Sequence, residues 1–367
     1  MSTPHQTPPS PTGTPSARNR EPHVSVVVPM LNERSSIDAC LDTIADQDLD
    51  AAYEVLVVDG GSRDGSRERV AERCSRDPRF RLLENPAGLV SSALNRAIAV
   101  ARGNFLVRVD AHTLLSPDYV RTCLAVLAET GADNVGGPMR PVGSTAFGRA
   151  VAIAMVSRFG IGTAPFRFAT RRREVDTVYL GAFPMNLFDR LGGFDEGLLR
   201  NQDYEMNYRI CQAGGRIVVD PAIDCRYLTR PDGRSLWAQF SSYGFWKWRM
   251  LRRHPKSLKL RQLAPPAFVA SLAGGGAGSL FGLLSSRPLL AWAALLPILL
   301  WSLTAALSSL WALRRHAPAT VVRLPLVFAI LHLAWGSGFL RSLLTPVPAG
   351  SPPVAPGPPR ATPPETA

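Results

Sequence analysis

Two stretches decide how this chain folds: VSVVVPMLNE at residues 24–33 and EVLVVDGGSRDGS at 54–66. Each opens with a continuous apolar run, VSVVVP (24–29) and EVLVVD (54–59), of the length expected for a strand buried on both faces. FLVRVD (105–110) behaves similarly. Between them, SSIDACLDTIADQ (35–47) and SRERVAERCSRD (66–77) space their apolar residues by three and four, which predicts helices. SSALNRAIAVARG (91–103) predicts a third helix, closed by Gly103 in the C′ position. Strand–helix–strand alternation implies right-handed βαβ units and a doubly wound α/β sheet. Ligands of such sheets bind beyond the carboxyl ends of the strands. Asp59 and Asp110 each close a predicted strand, so both face that crevice.

Downstream the composition changes. The chain of 367 residues carries 41 basic and 29 acidic residues, net +12, yet beyond Asp232 its only acid is Glu365. Three apolar stretches follow at 267–284, 289–313 and 324–344, and the second holds no charge. About 20 apolar residues span a bilayer core, so two or three transmembrane helices are expected, the glycine-rich first stretch being open to a re-entrant course. WKWRMLRRHPKSLKLR (246–261) places seven basic residues and no acid before the first stretch, and RRHAPATVVR (314–323) is basic between the second and third. Positive flanks favour the cytoplasm, so a cytoplasmic catalytic domain on the cell membrane is expected, with three spans carrying the C-terminus outside. The same basic run suits anionic lipid headgroups. Nucleic acid is the competing explanation of the charge, but the excess adjoins membrane segments and no nucleic-acid motif occurs.

The expected organisation is therefore a disordered tail (1–22), a catalytic domain (23–245), a basic juxtamembrane segment (246–266), a membrane region (267–344) and a disordered Pro-rich tail (345–367). The first tail has no apolar run, so no secretory signal is expected there. With 46% hydrophobic residues a wholly disordered chain is excluded. The five cysteines are odd in number, widely spaced and lack a C-x-x-C pair, which excludes a disulfide framework or zinc ribbon.

Two acidic neighbourhoods can carry chemistry. VRVDAH (107–112) sets Asp110 and His112 two apart in a turn, where carboxylate and imidazole can converge on one divalent cation. Asp203 opens a predicted helix in GGFDEGLLRNQDYEMNYRI (192–210), where a carboxylate either caps free N–H groups or serves as a base.

VSVVVPMLNE, EVLVVDGGSRDGS, LVRVDAH (106–112), GGFDE (192–196) and NQD (201–203) stand in the order and spacing of family 2 glycosyltransferases, and the chain resembles that family. More narrowly it is similar to succinoglycan-type exopolysaccharide β-1,3-glucosyltransferases, through DAH, VDTVYLGAF (175–183) and YGFWK (243–247). The resemblance implies a GT-A catalytic domain, a Rossmann-like mixed sheet, followed by transmembrane helices. It implies donor-binding roles for Pro29, Asn32, Glu33, Asp59, Asn95 and Asp110. A divalent metal, Mg²⁺ or Mn²⁺, would be held by Asp110 with His112, which replaces the last acid of DxD. Gly60 stands where relatives carry a second acid that meets the base. Asp203 matches the catalytic aspartate of an inverting enzyme, with Gln202 in place of a Glu. Tyr243, Trp246 and Lys247 match the acceptor segment. The partners implied are a nucleotide-sugar, a UDP-sugar foremost, a lipid-linked saccharide, the membrane and a polysaccharide assembly complex. The departures at Gly60, His112 and Gln202 motivate a second reading, a non-catalytic sugar-nucleotide-binding subunit of such a complex.

Overall fold

The structure, a computed structural model, describes residues 22–346; apart from positions 22, 345 and 346, both expected tails lie outside the described residues. The strands are β1 (Val24–Met30), β2 (Tyr53–Asp59), β3 (Phe80–Glu84), β4 (Phe105–Arg108), β5 (Thr113–Leu115), β6 (Asn134–Gly136), β7 (Arg140–Val142), β8 (Arg173–Glu174), β9 (Ala182–Pro184), β10 (Ile217–Val219) and β11 (Cys225–Leu228). Among the described residues they form an eight-stranded sheet in the order β3-β2-β1-β4-β9-β6-β10-β8 and a three-stranded sheet in the order β5-β11-β7.

The apolar runs behave as continuous burial requires. Val24, Val26, Val27 and Val28 of β1 and Val55 to Val58 of β2 are fully buried, and each such valine contributes about 1.5–3 kcal/mol relative to exposure. β1 pairs in parallel with β2 on one side and β4 on the other, and β2 pairs in parallel with β3. The carboxyl ends of β1, β2 and β4 therefore open onto one edge. β9 then runs antiparallel to β4, which makes the sheet mixed. The small sheet closes over this edge: β5 follows His112 directly, Tyr227 of β11 pairs with Thr113, and Leu228 N–H donates to the His112 carbonyl at 3.2 Å.

Three local expectations need correction. β4 ends at Arg108, so Asp110 lies two residues beyond its strand, in a turn closed by Thr113 N–H on the Asp110 carbonyl. The third helix spans Val90–Val100 with Ala101 as its C-cap, so Gly103 is no helix terminator. A Cβ on Gly103 would fall 2.5 Å from the Ser25 nitrogen, so the residue is small because the chain entering β4 presses on β1. Gly103→Ala is expected to cost about 1–3 kcal/mol through overpacking, read as a lower Tm of the purified chain.

The third correction concerns the expected boundary at residue 245, which falls inside a single helix, Gly233–Arg253. Arg253 pairs with Asp195 and His254 is hydrogen-bonded to Glu205, so part of the basic run is fastened to the catalytic domain. Three apolar helices follow, Ala264–Leu284, Pro288–Ala312 and Leu324–Leu344, each long and apolar enough to cross a membrane. The first is one continuous helix. Its Gly275 and Gly278 pack on Ala294 of the second, where a Cβ would crowd the Ala294 carbonyl and methyl.

Candidate active site

The turn after β1 and the loop after β2 are knitted together. Asn32 adopts a left-handed conformation (φ 55°), its N–H donates to Ser62 Oγ at 2.9 Å, and its Oδ1 accepts from Arg63 N–H at 2.9 Å. Pro29 precedes it on β1, in register with Val58. Asp59, buried at the end of β2, accepts from Ser62 N–H at 3.1 Å and lies 3.4 Å from Arg67 Nη1. Gly60 is tight for a different reason. A Cβ there would meet the Gly88 Cα at 3.3 Å, so the loop after β3 leaves little room for a side chain.

Glu33 reaches across the crevice. Its Oε1 accepts from His112 Nδ1 at 3.1 Å and its Oε2 from Ser36 Oγ at 2.9 Å. Burial raises this carboxyl, but the hydrogen bond and charge of His112, with Ser36 and Arg230, outweigh it and hold the group below its ordinary value. The His112 ring rests edge-on against Tyr227, centroids 5.4 Å apart.

Arg108 organises the remainder. Its Nε and Nη2 both reach Asp110 Oδ1, at 3.0 and 2.9 Å. The guanidinium is buried and its Nη1 has no hydrogen-bond partner among the described residues. Burial lowers the affinity of Arg108 for its proton, but the charge of Asp110 and then that of Asp203 more than restores it. One buried cation thus feels both carboxylates that the sequence singled out. For Asp110, burial raises the carboxyl, while Arg108 first and His112 next bring it below the ordinary value.

Asp203 lies in the first turn of the helix Gln202–Gln212, whose N-cap is Asn201 (φ 65°). It is not the N-cap residue, but its Oδ1 accepts from the first-turn Tyr204 N–H at 2.8 Å. Asn201 Nδ2 donates to the Tyr243 carbonyl at 3.2 Å, and Lys247 Nζ stands 3.9 Å from the centroid of the Tyr204 ring. Two members of the expected acceptor segment therefore adjoin the Asp203 helix. Trp246 does not. It lines a separate cavity of about 370 Å³ with Trp237, Phe245 and Arg341.

Asn95 also departs from expectation. Its Nδ2 donates to the Phe194 carbonyl at 2.9 Å and to Glu196 Oε1 at 2.8 Å, and its Oδ1 accepts from Phe194 N–H at 2.7 Å. Both ends of the amide are spent fastening the GGFDE segment to the helix Val90–Val100.

The profile of Glycosyl transferase family 2 matches residues 25–190. The succinoglycan biosynthesis protein ExoA of Rhizobium meliloti (strain 1021) is 32% identical over 322 residues, covering 87% of this chain and 94% of that protein. The chain belongs to glycosyltransferase family 2. This family 2 enzyme is related to proteins of exopolysaccharide and lipid-linked glycan synthesis. One such relative is the dolichyl N-acetyl-α-D-glucosaminyl phosphate 3-β-D-2,3-diacetamido-2,3-dideoxy-β-D-glucuronosyltransferase of Methanococcus voltae, 25% identical over 63% of this chain and 74% of that one. Its fold is GT-A-like. The mannosyltransferase PcManGT of Pyrobaculum calidifontis, solved with GDP-Man and Mn²⁺, matches with a TM-score of 0.53 at 20% identity, over 89% of this chain and 88% of that one.

Sequence reasoning about this family 2 enzyme missed Arg108. The signal was present: an arginine inside the otherwise apolar FLVRV (105–109) needs a buried counter-charge, and Asp110 lies two residues away. The donor set for a metal is small. Among the described residues no group of three His, Cys, Asp or Glu side chains could hold an ion. Arg108 engages Asp110 Oδ1 and Glu33 engages His112 Nδ1, so Asp110 Oδ2 and His112 Nε2 are what the pair offers. One carboxylate oxygen and one imidazole nitrogen are donor types suited to a Mn²⁺-like divalent ion, though by themselves an incomplete set.

Lys247 carries a pH signature. Burial, reinforced by Arg261 and Lys259, pushes its amine from 10.5 down to about 7 in spite of Asp176 and Asp203. Between those values the unfolded chain binds more protons than the folded one, so stability rises with pH across that window. Lys247→Met is expected to flatten this rise, measured as Tm from pH 7 to 10.

Proposed function

We propose that this family 2 glycosyltransferase moves a sugar from a nucleotide-sugar, a UDP-sugar foremost, to a lipid-linked saccharide, with inversion, in exopolysaccharide or cell-envelope glycan synthesis at the cytoplasmic face of the cell membrane. The observation that carries the reading is the buried Arg108 guanidinium, bonded to Asp110 and within the field of Asp203, with no partner for Nη1 among the described residues. Asp110 belongs to the donor side of such a site and Asp203 to the acceptor side.

Negative charge builds on the diphosphate as the glycosidic bond breaks. Arg108 is a fixed, desolvated cation at that place, and a preorganised donor in a water-poor site acts strongly on developing charge. Asp110 and His112 would hold a divalent ion, which when bound supplies further positive charge to the leaving group. Glu33 keeps the His112 ring oriented, with the proton on Nδ1 and Nε2 free as a ligand. Asp203 accepts the proton of the acceptor hydroxyl as it attacks C1 from the opposite face. A single displacement inverts the anomeric centre, so an α-linked donor gives a β-glycoside. Tyr243 and Lys247 border the acceptor side.

The test is a screen of the detergent-purified chain against nucleotide-sugars, with Mn²⁺, Mg²⁺ or chelator, on lipid-linked and free saccharides. The mannosyltransferase solved with GDP-Man puts GDP-sugars beside UDP-sugars in that screen. One donor class is expected to release its nucleoside diphosphate, faster with Mn²⁺ than with Mg²⁺, and only the lipid-linked acceptor to be extended efficiently. Equal use of free saccharide would refute the acceptor assignment. Binding of donor without any hydrolysis or transfer would favour the non-catalytic reading.

A further inference from the structure

All three apolar helices are long enough to cross a bilayer, and three crossings would carry the chain's end to the side opposite the active site. The packing of the third argues otherwise. Leu324–Leu344 runs parallel to Gly233–Arg253 and touches it along most of its length. Gly233 meets Ile330, a Cβ on Gly338 would overlap the Ser241 carbonyl, and one on Gly244 would overlap the Trp335 carbonyl. Trp248 lies against Phe339 at 5.5 Å, Arg341 over Phe245 at 5.1 Å, and Arg249 Nη2 donates to the Pro346 carbonyl at 3.0 Å. From position 233 to 249 the contact extends about 24 Å at helical rise.

The opposite side of Leu324–Leu344 is docked on the catalytic domain. Leu324, Val327, Phe328, Leu331 and Ala334 are at most 1% exposed and belong to the same apolar core as β1 and β2. Phe328 packs edge-on against Phe159 at 5.0 Å, and His332 Nε2–H donates to the Phe159 carbonyl at 2.9 Å; its Nδ1 also accepts from Nε1–H of Trp301, on the helix Pro288–Ala312, at 2.9 Å.

A span packed in this way would take its companion into the bilayer. Gly233–Arg253 carries Arg234, Lys247, Arg249, Arg252 and Arg253, and an Arg or Lys at the bilayer centre costs about 2.5–3.5 kcal/mol even on insertion scales. The companion is also fastened to the catalytic domain, through Gln239 to Tyr227 and Arg253 to Asp195. The exposed rim of the pair has the chemistry of a headgroup layer. Trp237 and Trp246 flank a cavity closed by Arg341, and the Phe245 ring lies between Arg249 and Arg341. The Ala264–Leu284/Pro288–Ala312 hairpin differs, with Leu280, Leu284, Leu289, Leu296 and Leu303 exposed.

We infer that the helix Leu324–Leu344 does not cross the bilayer: it lies with Gly233–Arg253 along the membrane surface, the hairpin alone enters the hydrocarbon, and Pro346 returns to the side of the active site. This rests on the membrane anchoring proposed above.

The experiment uses the full chain in sealed membrane vesicles and an impermeant maleimide. Cys211, exposed on the catalytic domain, reports that domain's side; Pro346→Cys with Cys74→Ser and Cys211→Ser reports the end of the third helix. Both are expected to label from the same face, before detergent is added. Labelling of the two from opposite faces, with the chain retained after alkaline carbonate, overturns this inference and leaves the anchoring intact. Release of the intact chain by carbonate overturns the anchoring and this inference with it.

Discussion

Asp203→Asn is expected to lower kcat by about 10²–10⁴-fold, the span that positioned proton transfer contributes, while the affinity for donor stays near that of the wild type. The substitution is nearly isosteric. An asparagine Oδ1 still accepts from Tyr204 N–H, the one side-chain hydrogen bond Asp203 makes among the described residues, so the start of the helix Gln202–Gln212 is preserved. What disappears is the carboxylate's capacity to take a proton from the acceptor hydroxyl, together with one negative charge felt by Arg108 and Lys247. Loss of that charge lets Arg108 act more fully on an anionic donor, so binding of the nucleotide-sugar is not expected to weaken. The measurements are steady-state turnover with saturating acceptor and donor binding by calorimetry. Turnover within threefold of wild type, with donor still bound, would remove Asp203 from the role of base.

Arg108→Gln is expected to lower kcat/KM for the donor by about 10²–10³-fold, the cost of deleting one preorganised donor to developing charge. Two contributions coincide. The bonds to Asp110 Oδ1 at 2.9–3.0 Å are lost or weakened, so the carboxylate beside the donor is no longer held. The Nη1, which has no partner among the described residues, is no longer there to meet an anion. A double-mutant cycle separates positioning from direct contact. If Arg108 acts only by holding Asp110, Arg108→Gln adds little to Asp110→Asn; if it also meets the diphosphate, the double variant is worse than either single one. Arg108→Lys keeps the charge but not the fork, and recovery of less than a tenth of the lost activity is expected. Wild-type donor kinetics in Arg108→Gln would refute the assignment.

Much of the fold was legible in the chain because it rests on local regularities. The apolar runs at 24–30 and 53–59 are buried on both sides and pair in parallel. The three-and-four spacing at 37–45 and 66–76 gives the helices expected. The site was legible only in part. Asp59, Asp110 and His112 stand at the ends or just beyond the strands where a wound sheet presents its ligands, and counting along the chain reaches them. Asn95 could not be read in this way. Its partners, Phe194 and Glu196, come from a distant segment, and nothing in SSALN distinguishes an amide facing a ligand from one that clamps a loop. Trp246 was read with its neighbours Tyr243 and Lys247, but it stands about 100° from Lys247 around the helix and lines a cavity with Trp237 and Arg341.

By itself the sequence determined the order and kind of elements, the mixed α/β class and the presence of helices suited to a membrane. Hydrophobic periodicity and run length are properties of neighbouring residues, and they translate directly into which face a strand or helix buries. Tertiary structure alone decided that a buried arginine is bonded to Asp110 within the field of Asp203 and that the third apolar helix lies parallel to a basic one. Whether an apolar helix faces lipid or protein depends on what a distant part of the chain offers it, and whether a charge can be buried depends on which partners the fold brings within a few ångströms. Neither is a function of local pattern, because the free energy involved belongs to the pair and not to either residue.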